Sequence, residues 1–396
     1  MSEWQTFCLK DLGKIVGGAT PPTNNPKNYG NKIAWITPKD LSTLQGRYIK
    51  KGSRSISRLG FKSCSCVLLP KHAILFSSRA PIGYVAIAKK RLCTNQGFKS
   101  IIPNKKIYFE FLYYLLKYHK DNISNIGGGT TFKEVSGATL GLFEVKIPPT
   151  YYEQQKIART LSVLDQKIEN NHKINELLHK ILELLYEQYF VRFDFLDENN
   201  KPYQTSGGKM KFSKELNRLI PSGWSVRFLN HKIVSTYQPK TISKTLLNDS
   251  YSYSVYGGGG IIGRFTEYNH DQSEFIISCR GQCGISYLTL PKSWITGNAM
   301  VIRPTKSYTS KTYLYHTIKK YKLTNYITGS VQPQITRQNL STMPILIPKR
   351  KTLNKWNNIS SLLWNLIHNN MQATQTLTAL RDFLLPLLLK QQVKPK

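Results

Sequence analysis

The side chains best suited to polar recognition sit in short loops. These are Ser77-Ser78-Arg79, Asn95-Gln96, Thr130-Thr131-Phe132-Lys133, Arg264, Arg280-Gly281-Gln282, Asn298 and Val331-Gln332-Pro333-Gln334. An arginine pairs with guanine through two hydrogen bonds, and asparagine or glutamine does the same with adenine. Serine, threonine and lysine suit phosphate oxygens. Ser78, Arg79, Asn95, Gln96, Thr130, Thr131, Lys133, Arg264, Arg280, Gln282, Asn298, Gln332 and Gln334 are therefore the expected nucleic-acid face. Bond-making chemistry is harder to assemble. Gly257-Gly258-Gly259-Gly260-Ile261-Ile262-Gly263 lacks the Gly-Lys-Ser/Thr ending of a phosphate loop and suits a loop running close to a backbone. The 22 acidic residues offer no carboxylate pair beside a lysine for a metal-dependent nuclease. Ile147-Pro148-Pro149-Thr150 is not the Asn-Pro-Pro-aromatic motif of adenine methylation. The eight histidines are scattered, and six cysteines show no zinc spacing. The expectation is a chain with no active site and no metal site.

Charge says what such loops would meet. The 396 residues hold 56 Lys+Arg against 22 Asp+Glu, a net charge of +34. Residues 1–150 carry 23 basic and 7 acidic side chains, and residues 223–348 carry 14 and 4. Between them, residues 151–198 carry 6 and 9. Two basic blocks flanking a mildly acidic one point to two lobes that grip a polyanion, with nucleic acid the first candidate. At 40% hydrophobic and 11% aromatic, the chain is folded rather than a basic tail. No apolar run approaches the ~18 residues of a membrane span, and Met1-Ser2-Glu3-Trp4 does not open a signal peptide. Dispersed thiols complete the expectation of a cytoplasmic protein.

The elements that position the loops occur twice. Ile74-Leu75-Phe76-Ser77-Ser78-Arg79 recurs as Phe275-Ile276-Ile277-Ser278-Cys279-Arg280 at an offset of 201. A tyrosine-rich helical stretch follows each (Phe109 to Tyr118, Tyr313 to Tyr321). A glycine-containing loop comes next, and then a strand ending at Ile147-Pro148 or Ile347-Pro348. Trp4 and Trp224 open the two halves. Each lobe reads as α+β with a curved sheet and one or two helices, giving two tandem related domains each followed by a long helix.

After each lobe comes a long helix. Gln154 to Tyr189 contains neither Pro nor Gly. Ile157, Leu161, Leu164, Ile168, Asn171, Asn175, Leu178, Leu182, Leu185 and Tyr189 alternate steps of four and three, a heptad seam. Leu363, Asn370, Leu377 and Leu384 repeat Leu164, Asn171, Leu178 and Leu185 at an offset of 199. Such helices are expected to pair antiparallel, as a rod of about 54 Å at ~1.5 Å per residue. Asn171 and Asn370 would face one another, a third helix or a solvated edge. Leu177, Ile181 and Leu184 make the seam wider than two helices need, and Pro386 is expected to kink or end the second helix.

Taken together, the chain resembles the specificity subunit of type I restriction–modification systems over essentially its full length. The resemblance rests on Trp4, Leu12-Gly13-Lys14-Ile15, Gly18-Ala19-Thr20-Pro21, Trp35-Ile36-Thr37 and Glu153-Gln154-Gln155-Lys156-Ile157-Ala158. It continues through Phe193-Asp194-Phe195, Lys201-Pro202-Tyr203, Ile220-Pro221-Ser222-Gly223-Trp224, Val255 to Gly263 and Leu380-Arg381-Asp382-Phe383-Leu384-Leu385-Pro386. One departure is Lys351 to Trp356, where the second helix lacks the Glu-Gln-Gln start.

The resemblance implies two target recognition domains, at 1–150 and 223–348. It also implies long helices at 151–198 and 349–396 for spacing and docking, and a linker at 199–222. Two methylation subunits bringing S-adenosylmethionine, and restriction–translocase subunits using ATP and Mg, would be the partners beside double-stranded DNA. Leu164, Asn171, Leu178, Leu185, Leu363, Asn370, Leu377 and Leu384 would form the seam and docking rows. The alternative from another class is a stand-alone architectural DNA-binding protein that dimerises through its long helices. A third is an enzyme whose motifs the spacing does not reveal.

Overall fold

The computed structural model describes residues 3–129, 133–249, 251–281, 283–329 and 332–395. Contacts divide the chain into two units, one comprising residues 1–173 and 370–396, the other residues 174–369. In the first unit a five-stranded sheet runs in the order Gly13–Gly17, Lys99–Pro103, Ile74–Ser78, Ile82–Ala88, Tyr48–Ile49. Ile74–Ser78 is its central strand and is buried at every position, which is why it reads as an unbroken apolar run. A three-stranded sheet of Arg54–Ile56, Tyr29–Ile36 and Cys93–Thr94 has an antiparallel and a parallel neighbour on either side of its middle strand.

The second unit repeats this plan. Val234–Tyr237, Ala299–Pro304, Phe275–Ser278 and Ser286–Leu288 form a sheet in that order. Gly260–Phe265, Tyr253–Gly257 and Trp294–Ile295 form a three-stranded sheet with the same antiparallel and parallel pairing. The sequence repeat is therefore a repeat of topology. The stretch 199–222 contains a hairpin, Met210–Ser213 paired with Arg218–Pro221.

Four helices matter for function: α1 (Phe109–Tyr118), α2 (Tyr151–Tyr186), α3 (Lys311–Lys320) and α4 (Arg350–Leu389). In the first unit Ile157, Ala158 and Leu161 of α2 share a core with Leu112, Leu115 and Leu116 of α1 and with Leu385, Leu388 and Leu389 of α4. Pairing of α2 with α4 is antiparallel. In the first unit Asp165 meets Arg381 while Asn171 meets Thr374. In the second, Asn175 bonds to the Ile367 carbonyl while His179 lies against Trp364.

Pro386 does not end α4, which continues to Leu389. It stands three residues from the end, so its missing N–H removes a bond only in the final turn. Burial of Leu385, Leu388 and Leu389 holds the helix through that point. At the start of α2, Gln154 is 1% exposed. Its side-chain amide donates to the Lys106 and Pro148 carbonyls and accepts from the Tyr108 N–H. In α4 the position at offset 199 is Leu353, also 1% exposed. A buried apolar contact there replaces the polar staple, which accounts for the absent Glu-Gln-Gln start.

Candidate nucleic-acid interface

In the first unit three loops meet at the end of the central strand. The Ser78 N–H donates to the Gly97 carbonyl (2.8 Å), and the Val135 N–H donates to the Ser78 carbonyl (3.0 Å). These two bonds bring residues 78–79, 95–97 and 133–135 together. Ser78 itself is fully buried, and its hydroxyl lies 3.3 Å from the Gly97 carbonyl, so this side chain braces the loops from within. Arg79 is partly exposed, 3.4 Å from Glu134, whose other oxygen lies 3.3 Å from Lys99. Lys133 is exposed beside them. Asn95 accepts from the Gly97 N–H (3.0 Å), shaping the turn that leaves Gln96 exposed. Thr130 and Thr131 lie outside the described residues.

A neighbouring loop buttresses this edge. A Cβ at Gly18 would lie 2.0 Å from the Asn95 carbonyl oxygen, a spacing only glycine tolerates. Ala19 then donates its N–H to Thr94 and accepts from the Trp35 indole, and Thr20 bonds to Gln96. Thr20, Lys99 and Glu134 were absent from the expected face. The Gly18-Ala19-Thr20-Pro21 motif carried the signal for Thr20. Glu134 had none, being a single carboxylate in a basic stretch.

The second unit builds the same junction from different residues. The Cys279 N–H donates to the Asn298 carbonyl (3.1 Å), and the Ile335 N–H donates to the Cys279 carbonyl (3.0 Å). Cys279 thus stands where Ser78 stands, and Arg280 pairs with Gln334 in an isolated bridge. Arg280, Asn298, Gln332 and Gln334 are all exposed. The glycine run forms the turn of the hairpin joining Tyr253–Gly257 to Gly260–Phe265. A Cβ at Gly258 would lie 3.1 Å from the Arg280 carbonyl oxygen, so the turn presses on this junction. Arg264 is spent differently. Its guanidinium donates to the Tyr251 and Ser252 carbonyls, and burial lowers its pKa. Gln282 lies outside the described residues.

The helices offer a second surface. The seam residues Leu164, Asn171, Leu178, Leu185, Leu363, Asn370, Leu377 and Leu384 are half-buried, whereas Leu161, Leu182 and Ile367 are fully buried. Asn171 donates to Thr374 (3.2 Å) and stands 3.5 Å from the Asn370 carbonyl. In the second unit Ile174, Leu177, Ile181 and Leu184 of α2 are exposed, Leu177 at 60%, and their 3-4-3 spacing places them on one face. Leu362 and Leu366 of α4 are exposed in the same unit.

Under the first lobe lies an ionic centre. Arg47, with 3% of its side chain exposed, approaches Glu110 (3.1 Å), Glu169 (3.2 Å) and Asp165 (3.9 Å). Asp165 also accepts from Arg381 (2.8 Å) and the Tyr114 hydroxyl (2.5 Å). Burial opposes the charge on Arg47, but the surrounding groups more than offset it and raise its pKa. No helix among the described residues is long and apolar enough to cross a membrane.

The family model described as the type I restriction modification DNA specificity domain matches residues 1–180 and again 221–377. The type I restriction enzyme MjaIX specificity subunit of Methanocaldococcus jannaschii is 32% identical over 423 residues, covering 98% of this chain and 92% of that one. The HindI specificity subunit of Haemophilus influenzae is 30% identical over 191 residues, 46% of this chain and 40% of that one. Among solved structures, the type I S subunit from M. genitalium superposes with a TM-score of 0.60 at 18% identity, covering 97% of this chain and 96% of that one. With two family matches falling on the two lobes and a relative aligned along nearly the whole chain, this protein belongs to the type I restriction–modification specificity subunits, the sequence-specific DNA-recognition component of those systems.

Proposed function

We propose that each unit reads one half of a bipartite duplex DNA site through its three-loop junction. The supporting observation is the quasi-equivalence of the two junctions. Backbone bonds centred on Ser78 and on Cys279 match, while the exposed side chains around them differ. A shared scaffold with different polar tips would read two different half-sites. Arg79, Asn95, Gln96, Lys99 and Lys133 would serve one half, and Arg280, Asn298, Gln332 and Gln334 the other.

The chain would work as the non-catalytic member of a larger adenine-N6 methyltransferase and endonuclease in the cytoplasm. The face bearing Ile174, Leu177, Ile181 and Leu184 is too apolar to stay in water and would take helices of the methylation subunits. S-adenosylmethionine would enter with those subunits, and ATP and Mg with the restriction subunits. Co-expression with a methylation subunit, followed by genome-wide mapping of N6-methyladenine, tests this reading. The expected result is a single motif in two halves with methyl groups in both. A continuous motif would overturn it, and specific binding undiminished without a methylation subunit would favour the stand-alone alternative.

A further inference from the structure

The two units also match at their opening tryptophans. Gln5 pairs with Ile147 and Ser225 with Ile347, so Trp4 and Trp224 hold the same place one residue before the strand pair. Around Trp224 that place is filled. Phe195 stacks on its ring at 5.1 Å and 18°, Tyr203 stacks on Phe195 at 4.9 Å and 17°, and Phe193 meets the indole edge-on at 5.5 Å. Trp224 is left 1% exposed. The segment carrying these rings is firmly built, with the Tyr203 N–H on the Phe195 carbonyl and Thr205 on the Asp194 carboxylate. Its acidic Asp197 and Glu198 line the same cavity as Lys351 and Lys355, at the start of α4.

Around Trp4, which is half-buried, the described residues leave a cavity. A cavity of about 390 Å³ is lined by Trp4, Tyr152, Lys156, Leu388, Val393 and Lys394, among others. At the offset of 199 Lys156 corresponds to Lys355, and Lys394 stands in the position of Phe195. The aromatic plug is thus replaced by a lysine. Among the described residues the one ring packed on Trp4 is Phe111, edge-on at 6.1 Å.

We propose that the cavity over Trp4 is a docking site for an aromatic side chain on an acidic segment of a partner protein, seated as Phe195 is seated on Trp224. Charge selects the segment, since Lys156 and Lys394 line this cavity against a single carboxylate, Glu153, which takes the Thr150 hydroxyl, and Lys351 and Lys355 line its counterpart. Stacking on the indole supplies the apolar part of the contact.

The probe is a fluorescent synthetic peptide with the sequence of residues 192–205, added to the intact chain and followed by polarisation. Saturable binding is expected. A peptide carrying Phe195→Ala should bind about tenfold more weakly, and Lys156→Glu in the chain should weaken the native peptide. Because Trp4→Ala could disturb the fold, a benzophenone at peptide position 195 provides the second readout, with cross-links expected at Trp4 or within residues 150–157. Absence of saturable binding, indifference to both substitutions, or cross-links at Trp224 would each overturn the proposal. A chain that is already a dimer and is dissociated by the peptide would replace the partner with a second copy and overturn it equally. Neither DNA nor a methylation subunit enters the assay, so its failure leaves the DNA-reading proposal standing.

Discussion

Lowering the pH from 7 to 5 should destabilise the second unit through two buried histidines. His316 on α3 is 3% exposed and His368 on α4 is 8% exposed, and the Nε2 atom of each is buried without a hydrogen-bond partner among the described residues. They lie among Tyr186, Tyr315, Trp356 and Trp364, with ring centroids 5.3 Å apart for His316 and Trp356 and 5.8 Å for Trp364 and His368. Burial, reinforced by Lys319, His179 and Lys320, pushes the His316 pKa down to about 3. Burial with Lys311 and His179 pushes His368 down to about 4. Glu183, which faces the neighbouring His179, is held by Lys319 at 2.5 Å.

Both folded values lie below the ~6.5 of an unfolded histidine, so between pH 6.5 and about 4 the unfolded chain binds more protons and stability rises with pH. At pH 5 each histidine costs about 2 kcal/mol relative to pH 7, and the pair about 4 kcal/mol. Urea unfolding followed by circular dichroism at pH 7, 6 and 5 measures this for the native chain and for His316→Gln/His368→Gln. The native chain should lose about 4 kcal/mol more than the double variant across that range. Equal losses in the two proteins would refute the reasoning, because they would place the acid sensitivity elsewhere.

Two further outcomes follow from the ionic centre and from the junctions. Asp165→Ala strips the largely buried Arg381 of its buried partner, leaving it to the exposed Asp382, leaves Arg47 to Glu110 and Glu169, and removes the acceptor for Tyr114. It should therefore cost about 3–5 kcal/mol in urea unfolding, and a loss below about 1 kcal/mol would mean the charges are solvated. In DNA binding, Lys133→Ala should weaken all sequences alike and reduce the log–log salt slope by about 1, as loss of a phosphate contact does. Asn298→Ala should instead relax preference at one base position. Competition binding across a randomised half-site separates the two effects, and a uniform loss for Asn298→Ala would remove it from the reading set.

Residues that repeat were legible in the sequence, and residues that act through the backbone were not. The 201-residue offset identified Ile74–Ser78 and Phe275–Ser278 as one strand used twice because both are buried on all sides and cannot tolerate polar drift. The seam of α2 and α4 was equally plain, since heptad spacing survives in the side chains themselves. By contrast, Ser78 belongs to the expected face by residue type alone. Its depth is set by the Gly97 and Val135 bonds, which are main-chain and leave no mark on composition. Arg264 misleads for the same reason, because backbone carbonyls satisfy its guanidinium and no motif announces a carbonyl. Arg47 draws Glu110, Asp165 and Glu169 from 63, 118 and 122 residues away, separations at which pattern reading has no purchase.

The same repeat makes the differences between the units informative. At an offset of 199, Asp165 corresponds to Trp364 and Glu169 to His368, and Tyr114 answers to Tyr315 at the lobe offset of 201. Each unit must join its lobe to the helix pair at this place. The first does so with Arg47, Asp165, Glu169 and Arg381, the second with Tyr315, Trp364, His368 and His179. Charge pairing holds while its carboxylates stay ionised, whereas packed neutral imidazoles fail as soon as they must take protons. Between pH 7 and 5 the aromatic joint is therefore strained, because burial holds its histidines neutral. Acid should then unfold the second unit first, and hydrogen exchange at pH 5 should show α3 losing protection before α1.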